Sequence, residues 1–290
     1  MGTRDDDRTG ARGDPSVGSD AEVARWLEDV EHRITRLDRV LVAVSGGVDS
    51  TVVAEVAART LGPRALTVTA DSPAVPRADL EHVRRLAWQR GWRHQVVRTG
   101  ELDRDGYRRN DTDRCYHCKT ELFATLRSLP EADGATILTG TNADDLGDHR
   151  PGLRAADEHG VIAPLVLAGL GKPAVRALAR ALDLPTAERP ASPCLASRIA
   201  YGVEVDPDTL DRIERGERTL HRYGFPVVRL RVHGDIARIE VPSDHLVALV
   251  AQREAVLSEL AELGFTYLTI DLQGFRSGSL NEGLPLATTR

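Results

Sequence analysis

Residues 39–61 read R-V-L-V-A-V-S-G-G-V-D-S-T-V-V-A-E-V-A-A-R-T-L, and this stretch decides the fold. Residues 40–44 are a β-branched apolar run, the pattern of a strand buried on both faces. Beyond the turn, Val52, Val53, Val56, Ala57 and Leu61 recur at helical spacing. Between the two stand Ser45, Gly46, Gly47, Val48, Asp49 and Ser50. A strand that turns through two glycines into a helix aims free backbone N–H groups at an anion, with the helix dipole behind them. The loop is not a Walker A motif, because the Gly-Lys-Ser/Thr ending is missing, nor is it G-x-G-x-x-G. A tight turn alone would account for the glycines. A hydroxyl on each side and a carboxylate able to hold magnesium are more than such a turn needs.

Outward from this stretch, strand and helix alternate. Residues 65–70 form a second buried strand, 77–90 a helix and 94–98 a strand. A polar segment at 100–113 reads as a loop before a helix that opens at Arg114, and 135–139 is another strand. The expected fold is α/β, a doubly wound parallel sheet, with ligands at the carboxyl ends of the strands where residues 45–50 lie. The strand at 135–139 ends in Gly140, Thr141, Asn142, Ala143, Asp144 and Asp145, a second wall of the same cleft. Asp144 and Asp145 suit either a metal or the capping of a turn.

A helix at 21–37 precedes this sheet, and 161–167, a helix at 172–182 and a loop at 185–202 follow it. From residue 206 the character changes: a helix to 223, alternating runs at 227–232 and 236–241, a helix at 243–263 and a strand at 266–272. The order α-β-β-α-β predicts a smaller C-terminal α+β domain. The expected division is a disordered tail at 1–20, a nucleotide domain at 21–203, a substrate or oligomerisation domain at 204–280 and a tail at 281–290.

The formal net charge of −6 over 290 residues gives no footprint for general nucleic-acid binding. No apolar run approaches membrane-spanning length and no signal segment opens the chain, so a soluble, cytoplasmic protein is expected. Three cysteines are a poor basis for a disulfide framework, which brings metal or catalytic roles forward. Cys115 and Cys118 in R-C-Y-H-C-K share a helix face one turn apart, so both thiolates can reach one metal. The spacing also suits a dithiol redox pair or two thiols without a role. Cys194 stands in a loop that can offer its side chain to a cleft. Three thiolates suit an iron–sulfur cluster with one iron free of protein ligand, whereas zinc would want a fourth ligand.

The hexapeptide S-G-G-V-D-S at 45–50 resembles the pyrophosphate loop (PP-loop) of the ATP pyrophosphatases, which have an adenine nucleotide α-hydrolase-like fold. With R-C-Y-H-C-K, G-T-N-A-D-D-L-G-D-H-R-P-G, P-C-L-A-S-R-I-A-Y-G and D-L-Q-G-F-R-S-G-S-L-N, the chain resembles the LarE family over roughly residues 21–280. That family inserts sulfur during synthesis of the nickel-pincer nucleotide cofactor. In one form a single cysteine, here at the position of Cys194, gives up its sulfur and becomes dehydroalanine. In the other, three cysteines hold a [4Fe-4S] cluster whose open iron carries an extra sulfide. Having Cys115, Cys118 and Cys194, this chain resembles the cluster form.

The resemblance implies ATP, Mg²⁺ and a [4Fe-4S] cluster as cofactors. ATP would be bound by Ser45, Gly46, Gly47, Asp49, Ser50, Gly140 and Thr141, with Asp49 and Cys194 in catalytic roles. Its substrate, a pyridinium dicarboxylate mononucleotide, needs a phosphate site, for which Ser197, Arg198, Arg229, Arg231 and Arg276 are the candidates, with Lys119 and Glu240 as weaker ones. Taken singly each arginine reads as a solvated surface charge, and Glu240 as a partner for one of them. The family also implies a homo-oligomer and, as partners, the other enzymes of the same pathway. Rival readings on the same loop are a tRNA thiolase, an ammonia-using ligase and a nucleotide-binding iron–sulfur sensor.

Overall fold

The computed structural model describes residues 18–147 and 151–276. The expected tail at 281–290, nearly all of the one at 1–20, and parts of the motifs at 140–152 and 271–281 lie outside the described residues. In chain order the first unit contains α1 (Asp20–Thr35), β1 (Arg39–Ala43), α2 (Val48–Leu61), β2 (Ala65–Asp71), α3 (Arg77–Arg90), β3 (His94–Arg98) and α4 (Asp105–Arg108). It continues with α5 (Arg114–Arg127), β4 (Ala135–Leu138), α6 (Pro151–Glu158), α7 (Pro164–Leu167) and α8 (Lys172–Ala181).

The four strands make one parallel sheet in the order β3-β2-β1-β4. Val42 of β1 lies opposite Thr67 on one side and Leu138 on the other. The chain runs outward from β1 to β3 and then returns to β1's free side. The strand order therefore reverses at β1, and a crevice opens at the carboxyl end of that strand. Strand period two sends Val40 and Val42 to one face and Leu41 to the other, and all three are fully buried. Val52, Val53 and Val56 of α2 and Leu178 of α8 cover the first face, while Phe123 and Leu126 of α5 cover the second. Each such side chain contributes about 1.5–3 kcal/mol by leaving water.

One buried carboxylate ties this packing together. Burial alone would raise the Glu55 carboxyl, but hydrogen bonds from Arg90, Trp92 and Arg59 outweigh it and hold the group below its ordinary range. Glu55 thereby joins α2 to the end of α3.

Two segments take forms that the sequence did not specify. The run at 161–167 makes one parallel bridge, Ile162 beside Leu138, and then turns into α7 because Pro164 cannot extend a ladder. Residues 100–113 carry the helical turn Glu101–Asp103 and α4, with Glu101, Tyr107 and Asn110 buried.

The second unit contains α9 (Pro207–Arg222), β5 (Arg229–His233), β6 (Ile236–Glu240), α10 (Leu246–Ala251), α11 (Arg253–Ala261) and β7 (Tyr267–Ile270). Asp206 caps α9 by accepting from Thr209 N at 2.8 Å, with Pro207 at the first helical position. The expected single helix at 243–263 is broken at Gln252 into α10 and α11. The separate sheet has the order β5-β6-β7, antiparallel then parallel. Its core, built on Leu210, Ile213, Leu220, Val232 and Ile239, is continuous with Ala74, Tyr107 and Leu195 of the first unit. Among the described residues no helix is long and apolar enough to cross a membrane.

Candidate active site

A cavity of about 450 Å³ opens at the carboxyl ends of β1, β2 and β4. One wall is Ser45, Gly47, Asp49 and Ser50; beside it stand Gly140 and Thr141; the opposite wall is Cys115, Cys118, Lys119 and Cys194. Gly46 is set back from the cavity and makes the turn. Its φ of +82° suits glycine alone, and a Cβ there would sit 2.7 Å from Val83 Cγ2. Ser50 Oγ accepts from Ser45 N at 3.2 Å and donates to Gly47 O at 3.1 Å, which fixes the loop against the first turn of α2. Gly47 is the N-cap and its carbonyl receives Thr51 N. The N–H groups of Val48, Asp49 and Ser50 precede the first intrahelical bond, and with the helix dipole they make an anion site.

Gly140 meets this loop backbone to backbone: a Cβ there would lie 2.4 Å from Ser50 N. Two residues later, Asn142 Nδ2 donates to Asp49 Oδ1 at 3.1 Å. Asp49 Oδ2 pairs with the Lys172 ammonium at the start of α8. Asp144 accepts from Lys172 N at 2.7 Å, and Asp145 accepts from Asn142 N at 3.1 Å. The two carboxylates therefore cap turns, and Asp145 also lines the cavity. Lys172 was not singled out in the sequence, and Asn142 was named there only as part of the strand-end loop. The signal was present, as a Gly-Lys pair opening a helix beside a strand-end loop.

The cysteine wall is built from two pieces of chain. Cys115 and Cys118 lie one turn apart at the start of α5, and Cys194 caps the short helical turn Leu195–Arg198. Leu195 N donates to Ala74 O at 2.8 Å, pinning that turn to the loop that follows β2. The buried Arg114 guanidinium donates to Ala196 O at 2.8 Å and also to Asn110 Oδ1. Asn110 Nδ2 in turn reaches the carbonyls of Ala200 and Val203 at 2.8 and 2.9 Å. This clamp holds α5 to the Cys194 segment and leaves a cation beneath the thiols. Burial, followed by the neighbouring Cys194 and Glu101, pushes the Cys118 thiol up to about 12. A bridge of Arg189 and Ser192 onto Asp79 (2.5 and 2.7 Å) runs from the same segment to the glycine loop, where Arg189 reaches Gly46 O at 3.3 Å.

The predicted arginines gather on the far side of Cys194, outside the cavity. Arg198 is 2% exposed, and both edges of its guanidinium are used. It pairs with Glu217 through two bonds of 2.9 and 3.0 Å and donates to Pro193 O, Cys194 O and Ser197 Oγ. Arg231 donates to Ser197 O at 2.7 Å and pairs at 3.1 Å with the fully buried Glu240, which also holds Arg238. Arg276 pairs with Asp271 at 3.7 Å. Arg229 makes no ion pair among the described residues. It donates to the carbonyls of Val228 and Ala191, and Phe275 lies 5.3 Å away. Burial and the nearby Arg198 and Arg231 pull it down to about 10, against Glu217 and Glu240. An anion would relieve this crowding of positive charge. Removing one partner of a buried pair strands the other. Glu217→Ala is expected to cost about 3–5 kcal/mol, read as a lowered midpoint in thermal or urea unfolding.

The asparagine synthase family profile matches residues 23–146, the segment that holds the glycine loop and α5. An uncharacterized protein of Synechocystis is 41% identical over 263 residues, covering 89% of this chain and 97% of that protein. The pyridinium-3,5-bisthiocarboxylic acid mononucleotide synthase of Lactiplantibacillus plantarum is 37% identical over 253 residues, 87% of this chain and 92% of that enzyme. The chain belongs to the LarE family. An uncharacterized protein of Methanocaldococcus jannaschii is 27% identical over 240 residues. The four-stranded unit of this LarE-family chain is thus the α/β PP-loop domain.

Among the described residues no group of His, Cys, Asp and Glu side chains could hold a metal ion by itself. A [4Fe-4S] cluster makes a different demand, since each thiolate goes to its own iron and the thiols must surround a volume. Three thiols on one cavity suit that donor set. Magnesium is commonly held through one or two carboxylates together with substrate phosphates, which Asp49 and Asp145 suit.

Proposed function

We propose that this chain uses ATP to insert sulfur into a pyridinium-3,5-dicarboxylate mononucleotide, forming a thiocarboxylate. The observation that carries this reading is the shared cavity, with an anion-binding glycine loop on one wall and three thiols on the other. The activity for which the Lactiplantibacillus relative is named supports the substrate class.

Residues 45–50 cradle the ATP phosphates through loop N–H groups and the α2 dipole. Lys172, which Asp49 holds at the loop, neutralises charge that develops on pyrophosphate as a substrate carboxylate oxygen attacks the α-phosphorus. Asp49 and Asp145 would hold magnesium on the same phosphates. The P–O bond to pyrophosphate breaks and an acyl-adenylate forms, which exchanges a poor leaving group for AMP. A sulfur nucleophile on the cysteine wall then adds to the acyl carbon, and AMP departs with the C–O electron pair. Lys119 lines the cavity beside Cys118 and makes no ion pair among the described residues, which leaves it to the substrate's anionic groups. Arg229, beyond Cys194, offers a cation to the nucleotide phosphate. Cys115, Cys118 and Cys194 would hold a [4Fe-4S] cluster, which when bound supplies an open iron for an extra sulfide.

Incubating the anaerobically purified protein with ATP, Mg²⁺ and the dicarboxylate mononucleotide should release pyrophosphate only when all three are present. Equal release without the mononucleotide, or with tRNA in its place, would sink the reading.

A further inference from the structure

The stretch that carries Cys194 to the cavity does not hold its own place. Residues 190–193 read P-A-S-P, are exposed and belong to no helix or strand, and the prolines have no N–H to offer. Side chains from elsewhere set their position. On the arginine side, Arg229 donates to Ala191 O at 3.2 Å and Arg198 donates to Pro193 O. On the side of the glycine loop, Ser192 Oγ donates to Asp79 Oδ2 at 2.7 Å, and Asp79 Oδ1 accepts from Arg189 at 2.5 Å. Arg189 is anchored in turn, because Arg176 of α8 donates to its carbonyl at 3.0 Å.

Asp79 makes a firm mount. It is 8% exposed, stands on the first turn of α3 and is followed there by the buried Leu80 and Val83. Val83 backs the glycine loop, where a Cβ on Gly46 would meet its Cγ2 at 2.7 Å. Asp79 lies one turn before Val83 on the same face. One turn of α3 thus touches the loop that would hold ATP and grips the segment that ends at Cys194. Asp79 and Ser192 line the same cavity as Asp49 and Cys194.

We propose that Asp79 is a positioning residue that couples the two half-reactions, holding the Cys194 segment, through Ser192, against the adenylate formed at the glycine loop. The inference rests on the sulfur-insertion reading above, and neither side chain makes or breaks a bond. When the segment drifts, water takes the place of sulfur. It adds to the acyl carbon, AMP departs with the C–O electron pair, the protons go to solvent and the starting carboxylate returns. Pyrophosphate is then released without thiocarboxylate.

The test counts both products in a single turnover of the full-length protein, purified anaerobically and treated with iron and sulfide. In the wild type they should appear in step. In Ser192→Ala pyrophosphate release should stay close to wild type, while the ratio of thiocarboxylate to pyrophosphate falls about 10-fold, the low end of what one hydrogen bond to a charged group is worth. Ser192→Thr keeps the hydroxyl and should restore the ratio. In an Asp79→Ala background, Ser192→Ala should lower the ratio no further; if that background does not fold, the two Ser192 variants decide. A wild-type ratio in Ser192→Ala, both products falling together, or a ratio that Ser192→Thr leaves low would overturn this inference alone. So would a full second loss in the double variant, the mark of a serine acting on the substrate itself. Wild-type protein that forms no thiocarboxylate would overturn the sulfur-insertion reading and this inference with it.

Discussion

Cys194→Ser is expected to abolish thiocarboxylate formation while leaving the first turnover of pyrophosphate release close to that of the wild type. The substitution exchanges a soft thiolate for a hydroxyl that is neither a good iron ligand nor, at neutral pH, a comparable nucleophile. The backbone around it is held independently of the sulfur: Leu195 N on Ala74 O, Ser197 N on Cys194 O at 2.9 Å, and Arg198 on Cys194 O at 3.1 Å. The loop that would bind ATP is on the other wall of the cavity, fixed by its own bonds between Ser45 and Ser50. Adenylation should therefore proceed and stall at the acyl-adenylate. Cys115→Ser separates the two sulfur routes. If the thiols hold a cluster, this variant loses iron and sulfur transfer together. If Cys194 gives up its own sulfur, transfer persists and mass spectrometry finds Cys194 short of the elements of H₂S. Sulfur transfer that survives Cys194→Ser would remove the cysteine wall from the mechanism.

The strand, glycine loop and helix at 39–61 were legible because each step is a local rule: apolar period, left-handed glycine, N-terminal N–H groups. The rest of the site is made by long-range packing. The ammonium on Asp49 comes from Lys172, 123 positions away, and reaches it because α8 packs beside α2. Composition could not show that Arg198 faces inward, since its burial is set by α9 arriving with Glu217. The polar run at 100–113 reads as a surface loop, yet Glu101, Tyr107 and Asn110 within it are buried against the cysteine segment. Residue type predicts exposure on average and fails where polar groups serve a site. In the same way the single helix expected at 243–263 follows from its apolar content, and the structure breaks it at Gln252.

Gly140→Ala should lower pyrophosphate release by about 100-fold or more, the scale of an ångström-sized misplacement of reacting groups. The added Cβ would lie 2.4 Å from Ser50 N, 2.6 Å from Ser50 Cα and 2.7 Å from Asp49 C. All three are backbone atoms, so no rotamer change relieves the contact. β4 cannot withdraw, because it is paired along β1 and Thr139 N is bonded to Ile162 O at 3.0 Å. The body of α2 cannot withdraw either, with Val52, Val53 and Val56 fully buried in the core beneath it. The displacement falls on the first turn of α2, where the N–H groups of Val48, Asp49 and Ser50 would face the phosphates and Asp49 meets Lys172. Overpacking of this kind costs about 1–3 kcal/mol, so the variant should remain folded and its circular dichroism should match the wild type. Gly147→Ala is the matched control, with nothing within 4 Å of its added methyl among the described residues. ATP affinity and pyrophosphate release should both fall in the first variant and hold in the second. A folded Gly140→Ala protein with wild-type rates would show that the phosphates are not held at the head of α2.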